Sequence, residues 1–352
     1  MAAMTTTEEA TYHTFLETEN AHPRDAELRF EPTRHAYTIE GSKALAPPVS
    51  VTTLTSRGVW PDFEADKTID KILASDKYKS GESPYAGMSR SAIRAQWDAN
   101  GLKARVEGTK LHDRIEKYYN TRQAHAERRR QRQRQQQQQQ QQVPRRTEEA
   151  NDDGRPPKKR RRFRVHEDDE HEEPKAEKAE PGAAGGLGLD EDEKAEPEAE
   201  EDDVAWRQFL AWATSPERAH LVPYRTEWRI FSRRCNVAGS VDMVFHNTKT
   251  GALDIYDWKR AKEIKRDGWG RYATHPLLKV DEIPDAAFYK YSMQLSAYKY
   301  ILETEYAETL PYPIGELWLV RMDEDGDRTE ADPVEAVDMI APVKKLMENR
   351  WV

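Results

Sequence analysis

This chain of 352 residues contains a single cysteine, Cys235, and no apolar run approaching the ~20 residues needed to cross a bilayer. The first scarcity excludes an internal disulfide and a four-cysteine zinc or iron–sulfur centre within one chain, so any metal must be held by oxygen and nitrogen. The opening MAAMTTTEEA has neither a basic region nor an apolar signal core, so the expectation is a soluble, intracellular protein with no membrane partner. Apolar side chains are scarce overall: with a mean hydropathy of −0.98, much of the length cannot be packed. A G-x-x-x-x-G-K-[ST] phosphate loop is also missing.

What is present is charge, unevenly spread. The net charge of −9 conceals two opposed blocks: residues 121–164 hold 15 Lys+Arg against 5 Asp+Glu, and residues 165–203 hold 3 against 18. Outside them the balance is close to neutral, so the total says nothing about a local basic groove. The same stretch, 121–203, runs from an Arg/Gln segment through uninterrupted glutamine at 135–142 into Glu/Asp/Pro/Ala/Gly repeats. With almost no large apolar residues it cannot offset its ordering entropy by burial and is expected to be a disordered insertion. Within it PPKKRRRFR, with Lys158, Lys159, Arg160, Arg161 and Arg162, has the pattern of a nuclear-import signal or a phosphate-binding arm, against the plainer reading of a solvated charge run.

Residues 1–24 then read as a flexible N-terminus, and 25–120 and 204–352 as two parts of one domain. In the first part HAYTIEG alternates like a strand, PPVSVTTLTSRGV supplies a β-branched run, residues 63–75 read as helix, and residues 90–119 read as helix with a break near Asn100 and Gly101. In the second, 206–213 reads as helix, and 224–231, 238–246 and 252–259 as successive strands, with HNTKTG as the turn between the last two. A helix over 286–305, a strand over 316–322 and an amphipathic helix over 333–349 complete a mixed α/β layer arrangement.

The hairpin carries the chemistry. It brings Asp242 opposite Asp257, and Asp257 and Lys259, two apart, point to one face of the sheet while Trp258 packs on the other. Carboxylates that hold Mg2+ or Mn2+, with an ammonium to orient water or neutralise charge, are what phosphodiester hydrolysis needs. The spacing alone carries little, since short acidic motifs recur by chance. The setting carries more: GSVDMVF and ALDIYDW embed the charges among strand formers, and buried carboxylates demand a partner such as a metal.

Three motifs together resemble the RecB-like branch of the PD-(D/E)xK nucleases, which includes phage exonucleases and the mitochondrial genome maintenance exonuclease. GSVDMVF with IYDWK resembles the core hairpin, GTKLHDRIEKYY the G-x-x-x-H-x-x-I-E helix, and QLSAYKYILE the downstream Gln/Tyr helix, in the same order along the chain. The resemblance covers about residues 25–120 and 204–322 and implies a restriction-endonuclease-like core: a central mixed sheet flanked by helices, interrupted here by the insertion. It implies His112, Asp242 and Asp257 as ligands of Mg2+ or Mn2+, the Trp258 backbone carbonyl as a further one, and Glu116 acting on His112 or on metal-bound water. Lys259 would be the catalytic lysine, Gln294 and Tyr298 would lie near the scissile phosphate, and Glu227 would stand at the edge of the site. Read from the residues themselves, Arg260, Lys262, Lys265, Arg266 and Arg271 form either a phosphate-tracking edge, with Trp269 and Tyr272 available to stack on unpaired bases, or a solvated loop.

The expected function is therefore a metal-dependent DNA nuclease, an exonuclease by resemblance, acting in DNA processing, repair, recombination or replication. Its partner is DNA, with unwinding left to a separate helicase or recombination protein. The alternatives are a nuclease-fold protein that binds DNA without cleaving it, and a glutamine-rich regulatory or scaffold protein.

Overall fold

The computed structural model describes residues 14–142, 203–278, 282–323 and 328–349. The chain divides into two compact units, one joining residues 1–131 to 203–352 and the other comprising 132–202. Of the second unit only the helical stretch 132–142 is described, so the acidic block and the import candidates Lys158 to Arg162 lie outside the described residues.

Residues 14–24 are not a free tail. Helix α1 (Phe15–Glu19) buries Leu16, whose N–H donates to Asn120 Oδ1, and the Asn20 side chain donates to the Tyr224 carbonyl. Asp25 accepts from Arg225 and from the Trp228 indole, which fastens the segment to the sheet. The sequence pattern hid this because, among the described residues 14–24, Leu16 is the one large apolar residue that is buried, and polar contacts tie the segment down.

Strands β1 (Leu28–Glu31) and β2 (Ala36–Ile39) form an antiparallel hairpin. After the two-residue strand β3 (Val49–Ser50), the β-branched VTTLTS forms helix α2 (Val51–Ser56) rather than a strand. The Ser50 hydroxyl caps the Thr53 N–H, and Val51 is fully buried; cap and burial outweigh the weak helix preference of threonine and valine. Helices α3 (Ala65–Ala74) and α4 (Asp76–Lys79) lead to α5 (Arg90–Gln142). Helix α5 passes Asn100 and Gly101 without a break and continues past Tyr119, so the first part of the expected disordered insertion, 121–142, is helical. Glutamine and arginine are good helix formers, and a helix already nucleated adds residues at little cost.

Beyond helix α6 (Val204–Thr214), strands β4 (Leu221–Ser232), β5 (Val237–Asn247) and β6 (Ala252–Arg260) form an antiparallel meander. Helix α7 (Ala287–Glu305) returns the chain to β7 (Ile314–Met322), parallel to β6, and β8 (Asp332–Glu335) pairs antiparallel to β7. Helix α8 (Ile340–Glu348) follows, so the stretch read as one helix over 333–349 is a short strand and then a helix. With β3 parallel to β5, the result is a six-stranded mixed sheet flanked by helices.

Two cores sandwich the sheet. Tyr298, Ile301 and Leu302 of α7, Val343 and Leu346 of α8 and Val51 of α2 pack on Ile230, Val244, Ile255 and Leu319. On the other face Leu111, Ile115 and Tyr119 of α5 and Phe209 and Trp212 of α6 meet Phe245, Tyr256 and Trp258. Each such side chain contributes about 1.5–3 kcal/mol by leaving water. Among the described residues no helix is long and apolar enough to cross a membrane.

Candidate active site

Strand β5 carries β4 along one edge but shares the other. It pairs with β3 at Val237 and Ala238 and with β6 from Met243 onward, so Asp242 stands at the fork where the partners part. There its Oδ2 accepts the Trp258 N–H at 3.0 Å, a bond that ties the acid to β6 after the ladder has ended. Trp258 is itself immobilised: its ring stacks with Tyr119 at 6.4 Å and meets Trp212 and Phe209 edge-on at 5.4 and 5.5 Å. Locking Trp258 into that face aims Asp257 and Lys259 at the other.

Across β4 the pairs Thr226–Met243 and Trp228–Val241 bracket Glu227 and place it opposite Asp242. Glu227 has φ of 42°, a left-handed conformation that costs a side-chain-bearing residue about 1–3 kcal/mol and is held by its surroundings. Its Oε2 accepts the Ser240 hydroxyl at 3.0 Å, and Oε1 lies 3.4 Å from His112 Nδ1. His112 Nδ1 is also 3.7 Å from Asp242 Oδ2, while Nε2 is 3.1 Å from the Trp258 carbonyl. In the neutral ring with Nε2 donating to that carbonyl, Nδ1 turns a lone pair toward the two acids; in the cation Nδ1 carries a proton toward them instead.

His112, Glu227 and Asp242 thus offer one ligand atom each within 4.8 Å of one another. Asp257, expected beside Asp242 as a ligand, stands outside this triplet: it is 2% exposed and pairs with Lys259 at 2.5 Å. Glu227, expected only at the site's edge, takes the place in the triplet. The Trp258 carbonyl is engaged by His112.

Lys259 Nζ also lies over the Tyr291 ring, 4.6 Å from its centroid. Tyr291 is not among the expected site residues; it sits one helical turn before Gln294 on α7, and that spacing is the signal that could have found it. Gln294 and Tyr298 share a helix face as expected, with the Gln294 amide donating to the Tyr298 hydroxyl at 3.1 Å. Tyr298 reaches the site because residue 239 is glycine: a Cβ there would lie 2.8 Å from the Tyr298 ring and 3.0 Å from Val51.

A cavity of about 410 Å3 opens beside these groups, lined by Asp113, Glu116, Glu227, Asp242, Gln294 and Tyr298 among others. Its acids oppose one another. Burial, then Glu227 and Asp113, push Glu116 up to about 7, and burial with Glu227 raises Asp242 against the pull of His112 and Lys259. Burial works against the His112 cation but is outweighed by Asp242 and Glu227, which carry it to about 9. Asp257 rises to about 6 through burial, opposed by Lys259, and Lys259 is raised because Asp257 and Asp242 outweigh burial. Clustered carboxylates with one imidazole are a set that could hold a metal ion, and a cation would relieve their repulsion.

The expected basic edge divides. Arg260 pairs with Glu107 at 2.9 Å and Arg271 with Asp285 at 2.6 Å, so these two hold the fold together. Lys262, Lys265 and Arg266 are exposed, with the Arg266 guanidinium 4.0 Å from the Phe288 ring centroid. Tyr272 lies in an isolated antiparallel bridge with Pro284.

No family model matches the chain, and no curated protein matches it.

Proposed function

We propose that this protein is a metal-dependent nuclease that hydrolyses phosphodiester bonds in DNA, built on a restriction-endonuclease-like core of the PD-(D/E)xK type. The observation that carries the reading is the meeting of His112 from α5, Glu227 from β4 and Asp242 from the fork of β5, with the Asp257–Lys259 pair on the adjoining strand. Three elements distant in sequence converge on one acidic cavity, which a hairpin bearing ordinary surface charges would not require.

His112, Glu227 and Asp242 would hold Mg2+ or Mn2+, which supplies charge stabilisation at phosphorus and a more acidic bound water. The chain supplies position. Trp258 fixes Asp242 through its N–H and His112 through its carbonyl, so both groups are preorganised by one clamped residue. Lys259, steadied by Asp257 and Tyr291, is the cation available to a phosphoryl oxygen or to the attacking water. Tyr298 and Gln294 line the cavity from α7 and present hydroxyl and amide groups to a phosphate or sugar.

The test is cleavage of end-labelled linear DNA with Mg2+ or Mn2+ by the wild type and by Asp242→Asn and Lys259→Met, chosen to keep shape. Each variant should lose at least about 100-fold in rate while its circular dichroism is retained. Wild-type rates in both variants would remove the assignment.

A further inference from the structure

The segment that leaves β6 after Lys259 makes a tight turn with a tryptophan at its tip. Gly268 O accepts the Arg271 N–H at 2.9 Å, and the two residues between them, Trp269 and Gly270, have φ of 52° and 74°. Positive φ at both central positions is the requirement of a type I′ turn, which asparagine and glycine meet at least cost. Tryptophan there is strained, and its side chain is 81% exposed, so no burial compensates.

The tip is nonetheless rigidly built. Asp267 Oδ1 accepts the Trp269 N–H at 2.7 Å. Gly268 leaves no room for a Cβ, which would lie 2.5 Å from Arg271 O and 2.8 Å from Asp285 N. The stretch that leaves the turn is held by the Tyr272–Pro284 bridge to a later segment, and Asp285 of that segment pairs with both Arg271 and Lys290. The same segment is anchored to the elements that carry the site: it starts from β6, and Lys265 O accepts the N–H of Phe288, one turn before Tyr291 on α7. Exposed Lys262, Lys265 and Arg266 precede the tip.

We infer that Trp269 is a stacking platform for an unpaired base of the substrate strand, its phosphates following Lys262, Lys265 and Arg266, so that the substrate class is single-stranded nucleic acid. This rests on the nuclease reading. Neither packing nor turn chemistry accounts for an exposed indole on a braced left-handed tip. A flat π surface beside a basic track does: stacking accepts any base, and the cations neutralise the backbone.

The experiment measures fluorescence anisotropy of a labelled oligothymidine and of an abasic oligonucleotide of equal length, in EDTA so that neither is consumed. Trp269→Ala should weaken oligothymidine binding roughly 5- to 150-fold, the range for loss of one base stack, and leave abasic binding at the wild-type level. Trp269→Tyr should retain most of the affinity, and Trp269→Asn should bind like the alanine variant yet melt at or above the wild-type temperature. Equal weakening on both oligonucleotides, or no weakening, overturns the inference. If wild type cleaves linear DNA in the assay above while Trp269→Ala binds like wild type, only the stacking role falls. If wild type neither binds nor cleaves DNA, both readings fall.

Discussion

The Asp25 carboxylate is the counter-charge of Arg225, 2.7 Å from its guanidinium. Arg225 is only 3% exposed, and the other Asp25 oxygen accepts the Trp228 indole N–H at 3.0 Å. The two residues so held flank Glu227, whose left-handed backbone needs restraint on both sides.

Asp25→Ala leaves a buried guanidinium with only the more distant Glu17 carboxylate, 4.0 Å away, and should destabilise the fold by about 3 kcal/mol, read by urea denaturation. Divalent-metal affinity should fall as well, because Glu227 loses its brace. Asp25→Asn keeps the shape and should fall between. A change under about 1 kcal/mol for Asp25→Ala would show that the contact is dispensable.

Gly239→Ala places a methyl group 2.8 Å from the Tyr298 ring and 3.0 Å from Val51. Overpacking of this kind costs about 1–3 kcal/mol, and the strain falls on α7, which carries Gln294 and Tyr298. The expected outcome is a lower melting temperature together with a larger fractional loss of cleavage than of metal binding. Metal binding and cleavage falling in equal proportion would contradict a role through Tyr298.

The acid–base balance of the site predicts a pH dependence. His112 is held near 9 against an ordinary 6.5, and Glu116 near 7 against 4.5, so both retain protons more tightly when folded. Their stabilisation is complete below the ordinary values and is lost as pH rises, between 4.5 and about 7 for Glu116 and between 6.5 and about 9 for His112. A divalent cation must displace the His112 proton, so its affinity rises across the second window. Thermal melts in EDTA should therefore decline with pH across that window, while the increment from Mn2+ grows. An increment independent of pH would remove His112 from the ligand set.

Charge neutralisation separates the two kinds of arginine. Removing both Lys265 and Arg266 should flatten the slope of log affinity against log salt by about 1.4–1.8 for DNA, some 0.7–0.9 per contact. Arg260→Ala should act first on stability, since it strands Glu107, with which Arg260 pairs. A salt slope unchanged in the double variant would place the DNA track elsewhere.

The hairpin is legible because its strands obey a two-residue period, which by itself puts Asp257 and Lys259 on one face. The α7 pair was legible for the matching reason of helical period. What escaped was set by tertiary contacts. Nothing local marks Glu227 for a left-handed conformation; its side chain is bonded to Ser240 across the sheet. Nor does pattern reveal that Asp257 spends its charge on Lys259, or that Leu16 and Asn20 are fastened to Asn120 and Tyr224. The helix at Val51 was hidden by side chains that prefer strands in isolation, and the length of α5 by a composition shared by helices and unstructured chains.

His112 and Asp242 belong to one site but are separated by 130 positions in the chain. At about 5–20 residues per second of synthesis, the acid emerges on the order of ten seconds after the imidazole. Throughout that interval Leu111, Ile115 and Tyr119 have no strand to cover them. Newly made protein is thus most exposed to association and proteolysis after α5 has appeared and before β5 and β6 arrive to close over it.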